Sequence, residues 1–183
     1  MNARLPDWNV VVTVYDGEFS EAIKLLSPFG NVSRTDYWNV LVMAVADVTK
    51  FSQSLAATIE RDASIPNSIS RIVPVTHKFQ FQSPAEFEER SCVIVDKWLP
   101  LVSGKKFHVR MHRRGFKGRL SSQYEEQFLD HHLLQRLEVA GSPGVIDFDD
   151  PDVIIAVETI GQFAGLSCWT REQREQFGLL KLD

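Results

Sequence analysis

KKFHVRMHRRGFKGR (residues 105–119) holds seven basic side chains, Lys105, Lys106, Arg110, Arg113, Arg114, Lys117 and Arg119, and no carboxylate. Its first half alternates Phe107, Val109 and Met111 with His108, Arg110 and His112. A period of two predicts a strand with one apolar face and one cationic face. Gly115 and Gly118 then break the pattern, allow a close approach of backbone to a partner, and leave Phe116 among cations. The chain of 183 residues carries 20 Lys and Arg against 24 Asp and Glu, a net of −4. Outside this stretch 13 basic side chains face 24 acidic ones, a net of −11, so the positive charge is local. An acidic protein with one basic strand and loop carries a local site for polyanions. Cations with an aromatic among them suit phosphates and bases. A solvated edge strand, kept from pairing with other sheets by its cations, accounts for the same pattern.

On either side of this stretch the signals are helical. Ser83-Pro84-Ala85-Glu86 is a capping box with proline at the first helical position. Phe87, Ser91, Ile94, Trp98 and Leu101 follow on one predicted helical face, closed by Pro100 and Gly104. Ser122-Gln123-Tyr124-Glu125 predicts a second capped helix, with Tyr124, Phe128, Leu129, Leu133 and Leu137 at its spacing. Residues 145–148 predict a short strand, and Asp149-Asp150-Pro151-Asp152 a turn. VIIAVETI (153–160) predicts a buried strand joined by Gly161-Gln162 to a partner over 163–169, with a short helix over 172–177.

Before residue 76 the order is strand (8–15), helix (Phe19, Ala22, Ile23, Leu26), strand (32–34), strand (39–46), helix capped by Asp47 or Thr49, loop (63–68) and strand (69–75). Strand, helix, strand, strand, helix, strand is the split βαβ, or ferredoxin-like, order. Pro74 places the last strand at an edge or an end. Trp8, Tyr37 and Trp38 read as core or hairpin packing. The expected class is α+β, with a ferredoxin-like βαββαβ domain over 1–75 and an α/β domain over 76–183.

Composition sets wide bounds. At 44% hydrophobic and 24% charged, the chain can bury real cores. No apolar run approaches the roughly 18 residues of a membrane span. MNARLPDWN at the start lacks the apolar core of a signal peptide, and the expected compartment is the cytoplasm. Cys92 and Cys168 form no CxxC arrangement and read as buried thiols.

Four segments carry a resemblance: RIVPVTHKF (71–79), KKFHVRMHRRG (105–115), the capped helix from Ser122, and DPDVIIAVETIG (150–161) with the apolar strand after it. In this order they resemble the THUMP domain, a module of RNA-modifying enzymes, over roughly 71–170. The likeness is to proteins that pair an N-terminal ferredoxin-like domain with THUMP, among them the stand-alone tRNA-binding adaptors of tRNA cytidine acetylation. It implies binding of the 3′ acceptor end of tRNA, including its single-stranded tail. It also implies a separate tRNA-modifying enzyme, such as an acetyltransferase, as partner. Arg110, Arg113 and Arg114 match the family's basic strand end. Lys117 and Arg119 fall in a loop that varies among relatives, and Arg71, His77 and Lys78 match the stretch joining the two domains. Lys105, Lys106, His108, His112 and Phe116 complete the candidate RNA contacts. Many relatives continue into a catalytic domain, whereas this sequence stops at Asp183, so the expectation is a non-catalytic tRNA-binding protein without a cofactor or metal.

Two alternatives stand beside it. A small RNA-processing or RNA-modifying enzyme would use His108, His112 or His131. A protein-interaction subunit with weak RNA binding would use the region from Leu120 onward, where four basic side chains face twelve acidic ones. The five histidines show no ligand spacing with a convergent third residue. Asp147, Asp149, Asp150 and Asp152 suit magnesium or a plain turn.

Overall fold

The computed structural model describes residues 7–182. The first six residues of the MNARLPDWN stretch, read above for a missing apolar core, lie outside the described residues, as does Asp183. The described residues divide into two units. One takes the chain up to Thr76 together with Arg174–Lys181; the other takes His77–Gln173 and Leu182. The return of 174–181 to the first unit is absent from the contiguous division at residues 75 and 76 expected above.

In the first unit, β1 (Val10–Val14), α1 (Phe19–Leu26), β2 (Asn31–Arg34), β3 (Val40–Ala44), α2 (Val48–Arg61), α3 (Ile65–Ser68) and β4 (Ile69–Pro74) follow in order. The sheet runs β2-β3-β1-β4 and every pair is antiparallel. β1 is central because its valines pack on both sides: Val12 faces Leu41 on β3 and Ile72 on β4. Asp47 caps α2, accepting from the N–H groups of Thr49 and Lys50 at 2.9 Å, and Phe51 and Leu55 bury its inner face. Residues 65–68, expected as loop, form the short helix α3, for which Pro66 supplies a suitable first turn. Gly30 has extended backbone and is required for space, since a Cβ there would lie 2.3 Å from the Ala44 carbonyl oxygen. β4 is an edge strand, and the returning segment covers it: Ile72 N–H donates to the Leu179 carbonyl at 2.9 Å. Trp8 is core, but Trp38 is 80% exposed, against the packing role expected for it.

The second unit opens with β5 (His77–Gln80), a strand where the sequence reads only a connection. After it come α4 (Pro84–Val95), α5 (Leu99–Val102), β6 (Lys106–His112), α6 (Ser122–Val139), β7 (Val145–Ile146), β8 (Val153–Ile160), β9 (Phe163–Thr170) and α7 (Arg171–Gln176). The sheet order is β5-β9-β8-β6-β7, with β6 parallel to β7 and β8 and the other pairs antiparallel. A 3₁₀ turn at Asp96–Trp98 separates α4 from α5 and shifts the helical phase. Val102 is therefore buried, and Leu101, expected on the inner face, is exposed. Phe87, Val95, Phe107, Val109, Leu129, Leu133, Leu137, Ile155 and Val157 form the core between the helices and one sheet face. Every residue of β8 is buried, as expected of a strand covered on both faces. Among the described residues no helix is long and apolar enough to cross a membrane.

Candidate nucleic-acid interface

β6 is not an edge strand. β8 pairs with it from Phe107 to His112, and β7 pairs with Lys106 and Phe107 on the other side. Beyond β7 the open side of β6 is closed by side chains of α6. Val109 N–H donates to Asp130 Oδ1 at 2.8 Å and Met111 N–H to Glu126 Oε1 at 2.7 Å. A strand end buried without such acceptors would leave two amides unsatisfied. Burial pushes the Asp130 carboxyl up to about 7, against the lowering effect of the Val109 N–H.

The cationic face expected for this strand is not a solvent face. His108 is wholly buried, its Nδ1 lies 2.9 Å from the Asp147 carbonyl oxygen, and its ring packs against that of Phe148, tilted by 39° with centroids 5.1 Å apart. That removes His108 from the RNA contacts and from the catalytic alternative. Glu158, wholly buried on β8, gathers the end of the strand. One of its oxygens lies 3.1 Å from His112 Nδ1 and the other bonds the Arg114 guanidinium. The backbone of Arg114 is fixed as well: its N–H donates to Thr159 Oγ1 at 2.9 Å, and its carbonyl accepts from Gly161 N–H at 2.9 Å. Arg110 lies 4.0 Å from Glu126 Oε1, and Lys106 Nζ lies 3.0 Å from Asp147 Oδ2. Of the strand-end arginines matched above, only Arg113 lacks a carboxylate partner among the described residues.

The loop after β6 is built differently. Gly115, Phe116 and Gly118 have φ of 97, 52 and 78°. A bulky residue in that region is strained, and packing holds it there: the Phe116 ring lies 4.9 Å from that of Phe81. Phe116 is thus part of the core edge rather than a splayed aromatic, and Arg119 covers it, with Cζ 4.8 Å from the ring centroid. The Arg119 guanidinium also donates to the Gln82 carbonyl at 3.1 Å. The N–H groups of Arg119 and Leu120 both donate to the Phe116 carbonyl at 3.0 Å and close the turn. Arg113 donates to the Gly115 carbonyl across the mouth of the same loop.

The chain then enters α6. Ser121, not Ser122, is the N-cap; its Oγ accepts from Tyr124 N–H at 3.3 Å. Glu125, the expected capping carboxylate, is instead buried in the helix face, and burial next to Glu88 pushes it up to about 7. Arg113, Arg119, Ser121, Ser122 and Gln123, with Gly118 and Leu120, line an open recess of about 520 Å³. Two guanidinium groups and the amide end of an 18-residue helix at one recess make an anion site by charge and by dipole. The sequence signals for it were separate, a basic loop and a capping box; their meeting at one recess was not visible. Tyr124, in the first turn of α6, is 58% exposed.

The other expected residues fall elsewhere. Lys117 is exposed in the loop, and Lys105 is exposed before β6. His77 and Lys78 are on β5 of the second unit, with the His77 ring 5.5 Å from that of Trp98. Burial, with Lys97 nearby, lowers the pKa of His77. Arg71 belongs to β4 of the first unit, its guanidinium 3.5 Å from Thr13 Oγ1. His131 is exposed on α6, and His132 Nε2 lies 2.7 Å from Asp96 Oδ1. The acidic turn is occupied by its own partners. Asp147 accepts from the N–H groups of Asp149 and Asp150, and Arg171 pairs with Asp150 and Asp152. Among the described residues no three His, Cys, Asp or Glu side chains form a metal-binding group. Both cysteines are free, with burial raising Cys92 to about 11 and Cys168 to about 12.

No protein-family model matches the sequence, and no curated protein matches it. Solved structures share its fold. TrmN from Thermus thermophilus is 18% identical, with a TM-score of 0.60 over 87% of this chain and 44% of that one. PH1313 from Pyrococcus horikoshii Ot3 is 13% identical, with a TM-score of 0.58 over 88% of this chain and 54% of that one. A 4-thiouridine synthetase, solved with RNA and bound ATP, is 14% identical, with a TM-score of 0.50 over 90% of this chain and 42% of that one. The chain spans about half or less of the length of each, and the likeness at these identities is one of fold.

Proposed function

We propose that this chain binds tRNA at its 3′ acceptor end and presents it to a separate tRNA-modifying enzyme, with no chemistry of its own. The observation that carries the reading is the recess at Arg113 and Arg119, two cations of residues 105–119 with no carboxylate partner among the described residues. Support comes from the resemblance of the second unit to THUMP. The β2-β3-β1-β4 sheet of the first unit, all antiparallel with helices after β1 and β3, supports a ferredoxin-like domain in front. The fold shared with the RNA-bound 4-thiouridine synthetase points the same way. In this reading the phosphates of the single-stranded tail sit on Arg113, Arg119 and Lys117, and the partner is an enzyme such as an acetyltransferase, in the cytoplasm. About three phosphate contacts give a slope of log affinity against log salt of roughly −2.

The test is filter binding of tRNA with and without its 3′ tail. Tighter binding of the intact form, lost on combined charge reversal of Arg113 and Arg119, is the expected result. Equal affinity for both forms, or binding indifferent to those reversals, defeats the reading. A second reading makes the chain the RNA-binding part of a modifying enzyme. It is favoured by the shared fold with a synthetase of which the chain spans 42%, and tRNA turnover that needs this chain joined to a catalytic segment, with tRNA binding but no turnover by the purified chain alone, would support it.

A further inference from the structure

We propose that the hairpin between β2 and β3 is the docking surface for the partner enzyme, with Trp38 entering an apolar pocket rimmed by Lys and Arg. The identity of that partner rests on the reading of the chain as one that presents tRNA. Trp38 is 80% exposed and Tyr15 45% exposed. A bond from Val14 N–H to the Asn39 carbonyl at 2.9 Å ties β1 to the hairpin, one residue before Tyr15 and one after Trp38. The hairpin is also fixed from within. Thr35 Oγ1 accepts from Tyr37 N–H at 3.1 Å and donates to the Val40 carbonyl at 2.9 Å. Val40 N–H donates to the Tyr37 carbonyl at 3.2 Å. Little loop ordering therefore remains to be lost on binding. An indole held in solvent adds little burial to its own unit, and tryptophan leads the residues that anchor protein interfaces. Charge selects the occupant. Residues 15–18 and 35–39 hold Asp16, Glu18 and Asp36 and no Lys or Arg, and Asp16 and Asp36 are exposed. Arg34, just before the hairpin, has its Cζ 4.8 Å from the centroid of the Phe19 ring. These acids repel phosphates and attract a cationic protein surface. An enzyme that acts on RNA carries such a surface. A second copy of this chain, joined by the same patch, would set the acids against one another.

The probe is the photocrosslinker p-benzoylphenylalanine, placed at Trp38 of the intact chain and irradiated in extract of its own cells. Crosslinked molecules are identified by mass spectrometry, and a captured protein is purified and titrated against the unmodified chain and its variants. The expected capture is a tRNA-modifying enzyme. Trp38→Ala is expected to weaken that complex about thirtyfold, and Trp38→Phe to weaken it less. Asp16→Lys combined with Asp36→Lys is expected to slow association at low salt. All of these variants are expected to keep the tRNA affinity and the urea midpoint of the unmodified chain. A crosslink to RNA, a crosslink to a second copy of the chain, or no crosslink overturns the inference. So does a captured protein without tRNA-modifying activity, or a complex indifferent to Trp38→Ala. Loss of tRNA affinity in Trp38→Ala overturns it as well, since the indole then serves the RNA. Each of these results leaves the tRNA reading standing while binding still depends on the 3′ tail. A complex that needs Trp38, found together with tRNA binding indifferent to the tail, keeps the docking surface and defeats the acceptor-end reading.

Discussion

Residues 106–114 carry four Lys and Arg and residues 115–123 carry two, and the two sets meet opposite environments. In the first, the cations sit beside carboxylates of β8, α6 and the turn after β7: Lys106 on Asp147, Arg110 near Glu126, Arg114 on Glu158. In the second, Gly115, Phe116 and Gly118 have positive φ angles, and Arg119 lines one recess with the first residues of α6, with no carboxylate partner among the described residues. Arg113 is the hinge case, since it lies in the strand's sequence but on the loop's recess. The difference teaches that a run of cations is not one site. Those that the fold needs for its own buried acids are subtracted before any ligand is met.

The largest effect belongs to Glu158. Its side chain is wholly buried and that of Arg114 is 12% exposed. Removing one partner of a buried pair leaves the other charge uncompensated, at about 3–5 kcal/mol. Glu158→Leu is expected to lose stability of that order in urea unfolding, while charge reversal at Arg119, an exposed residue, is expected to leave the midpoint nearly unchanged. A similar, small loss in both would erase the distinction between the two halves.

Acidity separates them next. Glu125 and Asp130 on α6 both have carboxyls raised to about 7. A carboxyl raised by folding binds its proton more tightly in the folded state. Its stabilising contribution is therefore complete below the unfolded value, falls as pH rises, and is gone above the folded value. Stability should drop between about pH 4.5 and 7, by about 3 kcal/mol for Glu125 alone. Glu125→Gln should flatten that part of the profile, measured by urea unfolding at a series of pH values. A profile unchanged by the substitution would mean that burial does not raise this group.

For RNA, the counterion count gives about fivefold per phosphate contact at 0.1 M salt, so reversal of Arg113 and Arg119 together should cost at least on the order of twentyfold and flatten the salt slope by more than 1. Arg110→Gln and Arg114→Gln should cost less than either reversal. Equal losses from all four would return the strand end to the interface.

The elements were legible in the sequence because each rests on short-range signals. Valine runs gave β1, β3 and β8; Asp47 and Ser83 gave the caps of α2 and α4. What local pattern missed depends on partners far along the chain. Period two in residues 107–112 cannot say that Glu158, some fifty residues later, will neutralise one end, or that Phe148 will cover His108. The capping box at 122–125 was off by one because Ser121 and Ser122 are equal as cap residues, and the burial of Glu125 decides between them only in three dimensions. The return of 174–181 to β4 has no local signature, since a few apolar residues after a short helix suit any free edge.

The smallest effect gives the sharpest contrast, between two lysines of the same basic stretch. Lys106 Nζ is 3.0 Å from Asp147, and that carboxylate together with Asp150 and Asp152 raises its pKa. Lys117 is exposed beside the recess and has no carboxylate partner among the described residues. A cation already paired releases few counterions when a phosphate arrives, because its neighbour must first be displaced. Lys117→Gln is accordingly expected to weaken tRNA binding by up to about fivefold and to reduce the salt slope by up to about 0.7. Lys106→Gln is expected to change neither. If Lys106→Gln weakens binding as much as Lys117→Gln, the acidic turn yields its cation to the RNA, and the strand half joins the site after all.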